Sequence, residues 1–125
     1  MPTEKEALDY LGKFLMKNHR DRALSTLEKA FEGKWKLKAL QNFQDALKHL
    51  SSEEQERLFK GFTYIISGTL HDVLFSLKEE NDFENRIKLL VDGYEVVKIS
   101  DGIHGEQYGE DGWIQKYSQY KDEEV

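Results

Sequence analysis

The chain has no cysteine. That excludes a disulfide framework and any cysteine-ligated zinc or iron–sulfur site, and it suits a reducing compartment. No apolar run approaches the roughly 20 residues that span a bilayer. The opening Met-Pro-Thr-Glu is polar and acidic, unlike a signal peptide. A cytoplasmic protein without a membrane segment is therefore expected. Motifs of catalysis are missing as well. There is no G-x-G-x-x-G or Walker pattern and no H-x-x-x-H or H-E-x-x-H spacing. Nucleophilic catalysis without cysteine needs Ser, Thr or Lys, and no serine stands in a nucleophile-elbow setting. No catalytic residue and no cofactor is assigned.

What is present is one domain of 125 residues, long enough to bury its own core. Its net charge of −6 is uneven. Residues 1–50 hold ten Lys/Arg against seven Asp/Glu, and residues 51–125 hold eight against seventeen. An acidic total argues against nucleic acid, whose phosphates need many facing cations. The asymmetry reads first as solubility and attraction between the halves. It also fits an acidic surface for a basic protein partner.

The chain is organised around Ser51–Glu80. Ser51 with Glu54, or Ser52 with Gln55, fits a capping box. Leu58, Phe62, Ile65, Ile66, Leu70, Val73, Leu74 and Leu77 follow at helical spacing. At about 100° per residue, Gly61, Tyr64, Gly68 and Phe75 share a second arc, with His71 close by. That pattern predicts burial on two sides, with another backbone close to the two glycines. A break near Gly68 is the alternative.

Before this helix, Thr3-Glu4-Lys5-Glu6 opens a stripe of Ala7, Leu8, Leu11, Phe14 and Leu15. That helix is expected to end near Asn18-His19 or to run on with a kink. Ala23, Leu24, Leu27, Ala30 and Phe31 form a second stripe, closed by Gly33. Lys34-Trp35-Lys36-Leu37-Lys38 could touch an anionic surface, but Leu37, Leu40, Phe43, Leu47 and Leu50 continue as a third helix. After Glu80 the period changes. Ile87, Leu89 and Val91, then Asp92-Gly93, then Tyr94 and Val96 predict a hairpin over Lys88–Ile99, pairing Val91 with Tyr94, Leu90 with Glu95, Leu89 with Val96 and Lys88 with Val97.

The predicted fold class is α+β, mostly α: about four helices around the central one, with the hairpin and a Gly-rich tail packed on them. Residues 1–80 form the helical part, 86–118 the hairpin and tail, and 119–125 a frayed, solvated end with Glu123 and Glu124.

The Gly-rich tail, Ser100–Trp113, holds the candidate site. Its glycines read as turns, with Tyr108 and Trp113 anchoring the loop. Glu106, Tyr108, Glu110, Asp111 and Trp113 also make a surface for a protein partner. The acids lack the spacing of a calcium loop. A second reading is a metal-dependent enzyme using His71, Asp72, His104 and Glu106, since imidazole and carboxylate are metal ligands. Surplus apolar surface, including Trp35 and Phe75, allows a homodimer.

The segment Leu50-Ser51-Ser52-Glu53-Glu54-Gln55, leading into Leu70-His71-Asp72-Val73-Leu74 and the Asp92-Gly93 turn, resembles a family of small uncharacterised bacterial proteins. The resemblance covers about half of the chain. It implies a bacterial cytosolic setting and no site residues. The reading that follows is a non-catalytic binding or regulatory protein acting through its acidic C-terminal half, one form being an immunity- or antitoxin-like mask for a basic partner.

Overall fold

A computed structural model describes residues 1–122; Glu123 and Glu124 lie outside the described residues. The architecture is α+β and mostly helical, with one two-stranded antiparallel hairpin. Among the described residues, no helix is long and apolar enough to cross a membrane.

Helix α1 (Glu4–Leu15) begins with the expected capping box. Glu6 N–H donates to Thr3 Oγ1 at 3.1 Å, and Thr3 N–H to Glu6 Oε1 at 3.3 Å. The chain does not stop at Asn18-His19. It continues through a π-helical turn, Met16–Asp21, into α2 (Arg22–Phe31). Gly33 N–H to Ala30 O and Lys34 N–H to Lys29 O then close α2 as a Schellman motif. Before α3 (Lys38–Lys48), buried Gln44 holds both main-chain groups of Trp35. Its Oε1 accepts from Trp35 N–H at 2.9 Å, and its Nε2 donates to Trp35 O at 3.0 Å. The Lys-Trp-Lys stretch is thereby fastened to its own helix.

Helix α4 (Ser52–Asp82) is unbroken over 31 residues. Its start is the Ser51–Glu54 capping box, and the two hydrogen bonds from Ser51 hold the Glu54 carboxyl below its ordinary pKa. Phe43 on Phe62 and Leu47 O accepting from Gln55 Nε2 at 2.8 Å mark an antiparallel approach of α3 to α4. Edge-to-face pairs among Phe31, Phe43, Phe59 and Phe62 fill this end, with centroids 5.4–6.4 Å apart.

The main core lies at the other end. Ala7, Leu11 and Met16 meet Leu70 and Leu74 of α4, and Val96, Ile103, Trp113 and Ile114 close over them. Asp92 and Gly93 both adopt positive φ, at 52° and 83°. They form the turn between β1 (Leu90–Val91) and β2 (Tyr94–Glu95), in the expected register of Leu90 with Glu95 and Val91 with Tyr94.

The strands are shorter than the expected Lys88–Ile99 hairpin. Val96–Ile99 is a helical turn, α5. A strand would send Val96 and Val97 to opposite faces, whereas one helical turn brings Val96, Val97 and Ile99 all against the core. Two-sided burial of α4 is also corrected. Among the described residues, no atom beyond the helix's own backbone lies within 4 Å of where a Cβ would stand on Gly61 or Gly68. Ile65 and Val73 of the main stripe are exposed, because the partners of α4 cover a narrower arc than its apolar residues do.

The close backbone approach occurs instead at Gly12. A Cβ there would stand 2.5–2.7 Å from the Trp113 indole. Gly12→Ala is expected to destabilise the protein by about 1–3 kcal/mol through overpacking. Gly61→Ala, in open space on a helix, is expected to stabilise it by about 0.5–1 kcal/mol. Urea midpoints of the two variants should move in opposite directions; a shared direction contradicts the packing described.

Candidate partner-binding surface

Helical spacing puts Tyr64, Gly68, His71 and Phe75 on one side of α4. The Gly-rich loop brings His104 and Tyr108 to the same side. It is closed by Trp113 N–H to Glu106 O at 2.9 Å and Ile114 N–H to Gln107 O at 3.1 Å. Buried Gln107 fastens it to α4, its Nε2 donating to Ser67 O at 3.1 Å.

The result is an aromatic patch. The His71 ring lies parallel to Phe75, centroids 6.3 Å apart. His104 meets both edge-on, at 5.4 and 5.1 Å, and Tyr108 lies 6.2 Å from His71. Tyr64 is 81% exposed, Tyr108 43% and Phe75 41%. Carboxylates stand near the aromatic groups. Burial raises the Tyr108 pKa, and the charges of Tyr64, Asp122 and Asp72 raise it further, against the opposing pull of Arg20.

Of the residues expected to meet a partner, Tyr108, Glu110 and Asp111 are exposed. Glu106 is half-buried and accepts from Ser100 Oγ at 2.7 Å. Trp113 is buried at 2% exposure; it anchors the loop against Gly12 and is corrected as a contact residue. Asp101, Glu106, Glu110 and Asp111 border a shallow depression of about 560 Å³.

His71 and His104 do converge, and His71 Nδ1 lies 3.2 Å from Asp72 Oδ1. Glu106, by contrast, is turned to Ser100. Among the described residues, no group of three or more His, Cys, Asp or Glu side chains is arranged to hold a metal ion. The two imidazoles meet as an edge-to-face ring pair.

A groove of about 900 Å³ continues from Tyr64 and Tyr108 along the first half of α4. Phe31, Phe59, Thr63 and Tyr120 line it, with Ser67 and Asp122. Bonded to Ser67 is Arg20, a fully buried arginine. Its Nε donates to Ser67 Oγ at 3.0 Å, its Nη1 to Ser118 Oγ at 2.7 Å and to Tyr120 O, and its Nη2 to Asp122 Oδ1 at 3.1 Å. Burial lowers the Arg20 pKa, while Asp122 and then Asp21 oppose the shift. Sequence reasoning passes over this residue, since an arginine among Asn, His and Asp reads as surface. It also assigns residues 119–125 to a frayed end; Gln119, Tyr120 and Asp122 are instead bonded to Arg20 or Asp21, and Lys121 Nζ donates to Gln115 O.

No protein-family model, curated protein or solved structure matches the chain.

One histidine of the π-helical turn gives a test in pH. His19 Nδ1 is buried with no hydrogen-bond partner among the described residues, and burial lowers its pKa. The unfolded chain therefore takes up this proton first. The His19 contribution is complete above the ordinary histidine value of about 6.5 and is lost as pH falls through it toward the folded-state pKa. Unfolding free energy should decrease over that window, and His19→Gln should flatten the slope. An unchanged slope in the variant would show that His19 titrates alike in both states.

Proposed function

We propose that this chain is a non-catalytic protein-binding module whose contact surface is the patch of Tyr64, Phe75 and Tyr108. The observation that carries the reading is the exposure of Phe75 and Tyr108 beside His71 at the junction of α4 and the Gly-rich loop, with exposed Tyr64 lining the same groove as Tyr108. Tyrosine is enriched among residues that dominate binding energy, and a clustered apolar patch on a small domain marks an interaction site. Asp72, Glu110, Asp111 and Asp122 supply negative charge nearby, which supports a basic partner steered by electrostatics. A mask of the immunity or antitoxin type is one form of such a module. The lack of cysteine supports a cytoplasmic setting, and the resemblance of the Ser51 to Gly93 segment supports a bacterial one.

The test places a photo-crosslinking amino acid at Tyr64 or, as control, at exposed Tyr10 of α1, in the source cells. A discrete basic protein joined from position 64 and not from position 10 is expected. In the purified complex, Tyr108→Ala should then weaken binding by about tenfold or more, the loss typical of a buried aromatic anchor. Crosslinks to a second copy of the chain would replace the partner with a homodimer. Identical products from both positions would sink the reading.

A further inference from the structure

Helix α6 (Trp113–Tyr117) ends at Ser118, which is extended. From there to Asp122 the chain bends across Arg20 and Asp21, which hold it through the Ser118 hydroxyl, the Gln119 N–H, the Tyr120 carbonyl and the Asp122 carboxylate. Asp21 accepts from Ser118 Oγ at 2.5 Å and from Gln119 N–H at 3.0 Å. Arg20 donates to Tyr120 O and to the Asp122 carboxylate. Main-chain and side-chain contacts that end on a carboxylate are how a protein takes up a carboxylate-bearing peptide.

Three further observations separate this site from ordinary packing. Arg20 and Asp21 end a π-helical turn of six residues, a rare geometry that concentrates at functional sites. The segment is held largely by polar contacts: Gln119 and Lys121 are exposed and the Asp122 side chain is 39% exposed, while Ser118 is buried and Tyr120 half-buried. A segment with few buried apolar contacts opens locally at low cost. Finally, Tyr120 and Asp122 line the groove beside Ser67, and Ser67 holds Arg20 Nε. Lifting the segment joins the arginine to that groove.

We propose that Arg20 and Asp21 form a recognition site for a bent, carboxylate-bearing peptide of a partner, held shut by the chain's own Ser118–Asp122 acting as an internal ligand. The proposal stands on residues other than Tyr64, Phe75 and Tyr108, so it can fail while the patch holds, and the reverse. Asp21 supplies selectivity by reading an N–H, and Arg20 by reading a carbonyl and a carboxylate three and five positions after Tyr117.

The first test uses the intact wild-type chain. Hydrogen exchange of the Gln119 amide should proceed by local opening, at least about tenfold faster than exchange at Leu70 and Leu74 in the α4 core. Exchange of Gln119 in step with that core would overturn the proposal. The second test uses full-length Asp122→Ala and a fluorescein-labelled peptide copying residues 117–122, amidated at its C-terminus. Loss of a charge-assisted bond raises the open population, so the variant should bind the peptide about tenfold or more tighter than the wild type. A peptide with its aspartate changed to asparagine should lose most of that gain. Equal affinity for the two proteins, no binding to the variant, or indifference to the asparagine change would each overturn the site. The exchange measurement needs no substitution, so it decides the matter even where the variant fails to fold.

Discussion

The contact between Gly12 and Trp113 is the constraint from which the arrangement of this protein follows. Nothing larger than glycine fits beneath the indole, so the indole lies directly on the α1 backbone. Trp113 opens α6, and its backbone N–H is tied to Glu106 O. Fixing the ring therefore fixes the Gly-rich loop, and the loop in turn sets His104 and Tyr108 against α4. Ile103 and Val96 complete the same cluster from the segment that leads into the loop. A two-strand hairpin has little stability of its own; here Leu89, Val91 and Tyr94 lean on this core. The surface chemistry of the C-terminal half is thus held by one aromatic ring resting on a bare stretch of helix.

Much of the fold could be read from the sequence because its signals are local. Thr3 with Glu6 and Ser51 with Glu54 satisfy backbone groups within one turn, and Asp92-Gly93 needs only its own two dihedrals. These features came out as expected. What could not be read depends on distant partners. Val96–Ile99 alternates no worse than a strand, and it turns helical because three of its side chains reach one core. Tyr64 and Phe75 mark a second apolar face, but whether such a face is covered or open depends on what packs there. Arg20 gives no local sign of burial, since its partners Ser67, Ser118, Tyr120 and Asp122 are far away in sequence. Gly12 gives none either: a glycine inside a helical stripe reads as a small cost until the indole is seen above it. The candidate site was therefore legible in part, through Tyr108, Glu110 and Asp111, while Tyr64 and the arginine site needed the fold.

The two ends of α4 divide the labour. One end is closed by phenylalanines in edge-to-face contact, with the Gln44–Trp35 clasp beside it. The other carries the tail and its aromatic patch, and the groove runs from that patch back along the first half of α4. The negative charge of residues 51–125 spreads over solvent-facing positions of α4, the hairpin and the loop, with part of it paired locally, as in Lys78 with Asp82 and Lys98 with Glu95. Pairs of this exposed kind contribute little to stability. Their value lies in the field they create around the uncovered aromatic side chains.

Three bonds of Arg20 join residues 98 to 102 positions apart, and the contact of Gly12 with Trp113 spans a similar distance. The N-terminal helix thus leaves the ribosome long before its partners exist. At about 5–20 residues per second, roughly 5–20 s pass between synthesis of Arg20 and of the residues that cover it. During that interval the apolar stripe of α1 has nothing of its own chain to pack against from the tail. Completion of the core therefore waits until the segment that carries Val96, Ile103, Trp113 and Ile114 has been made.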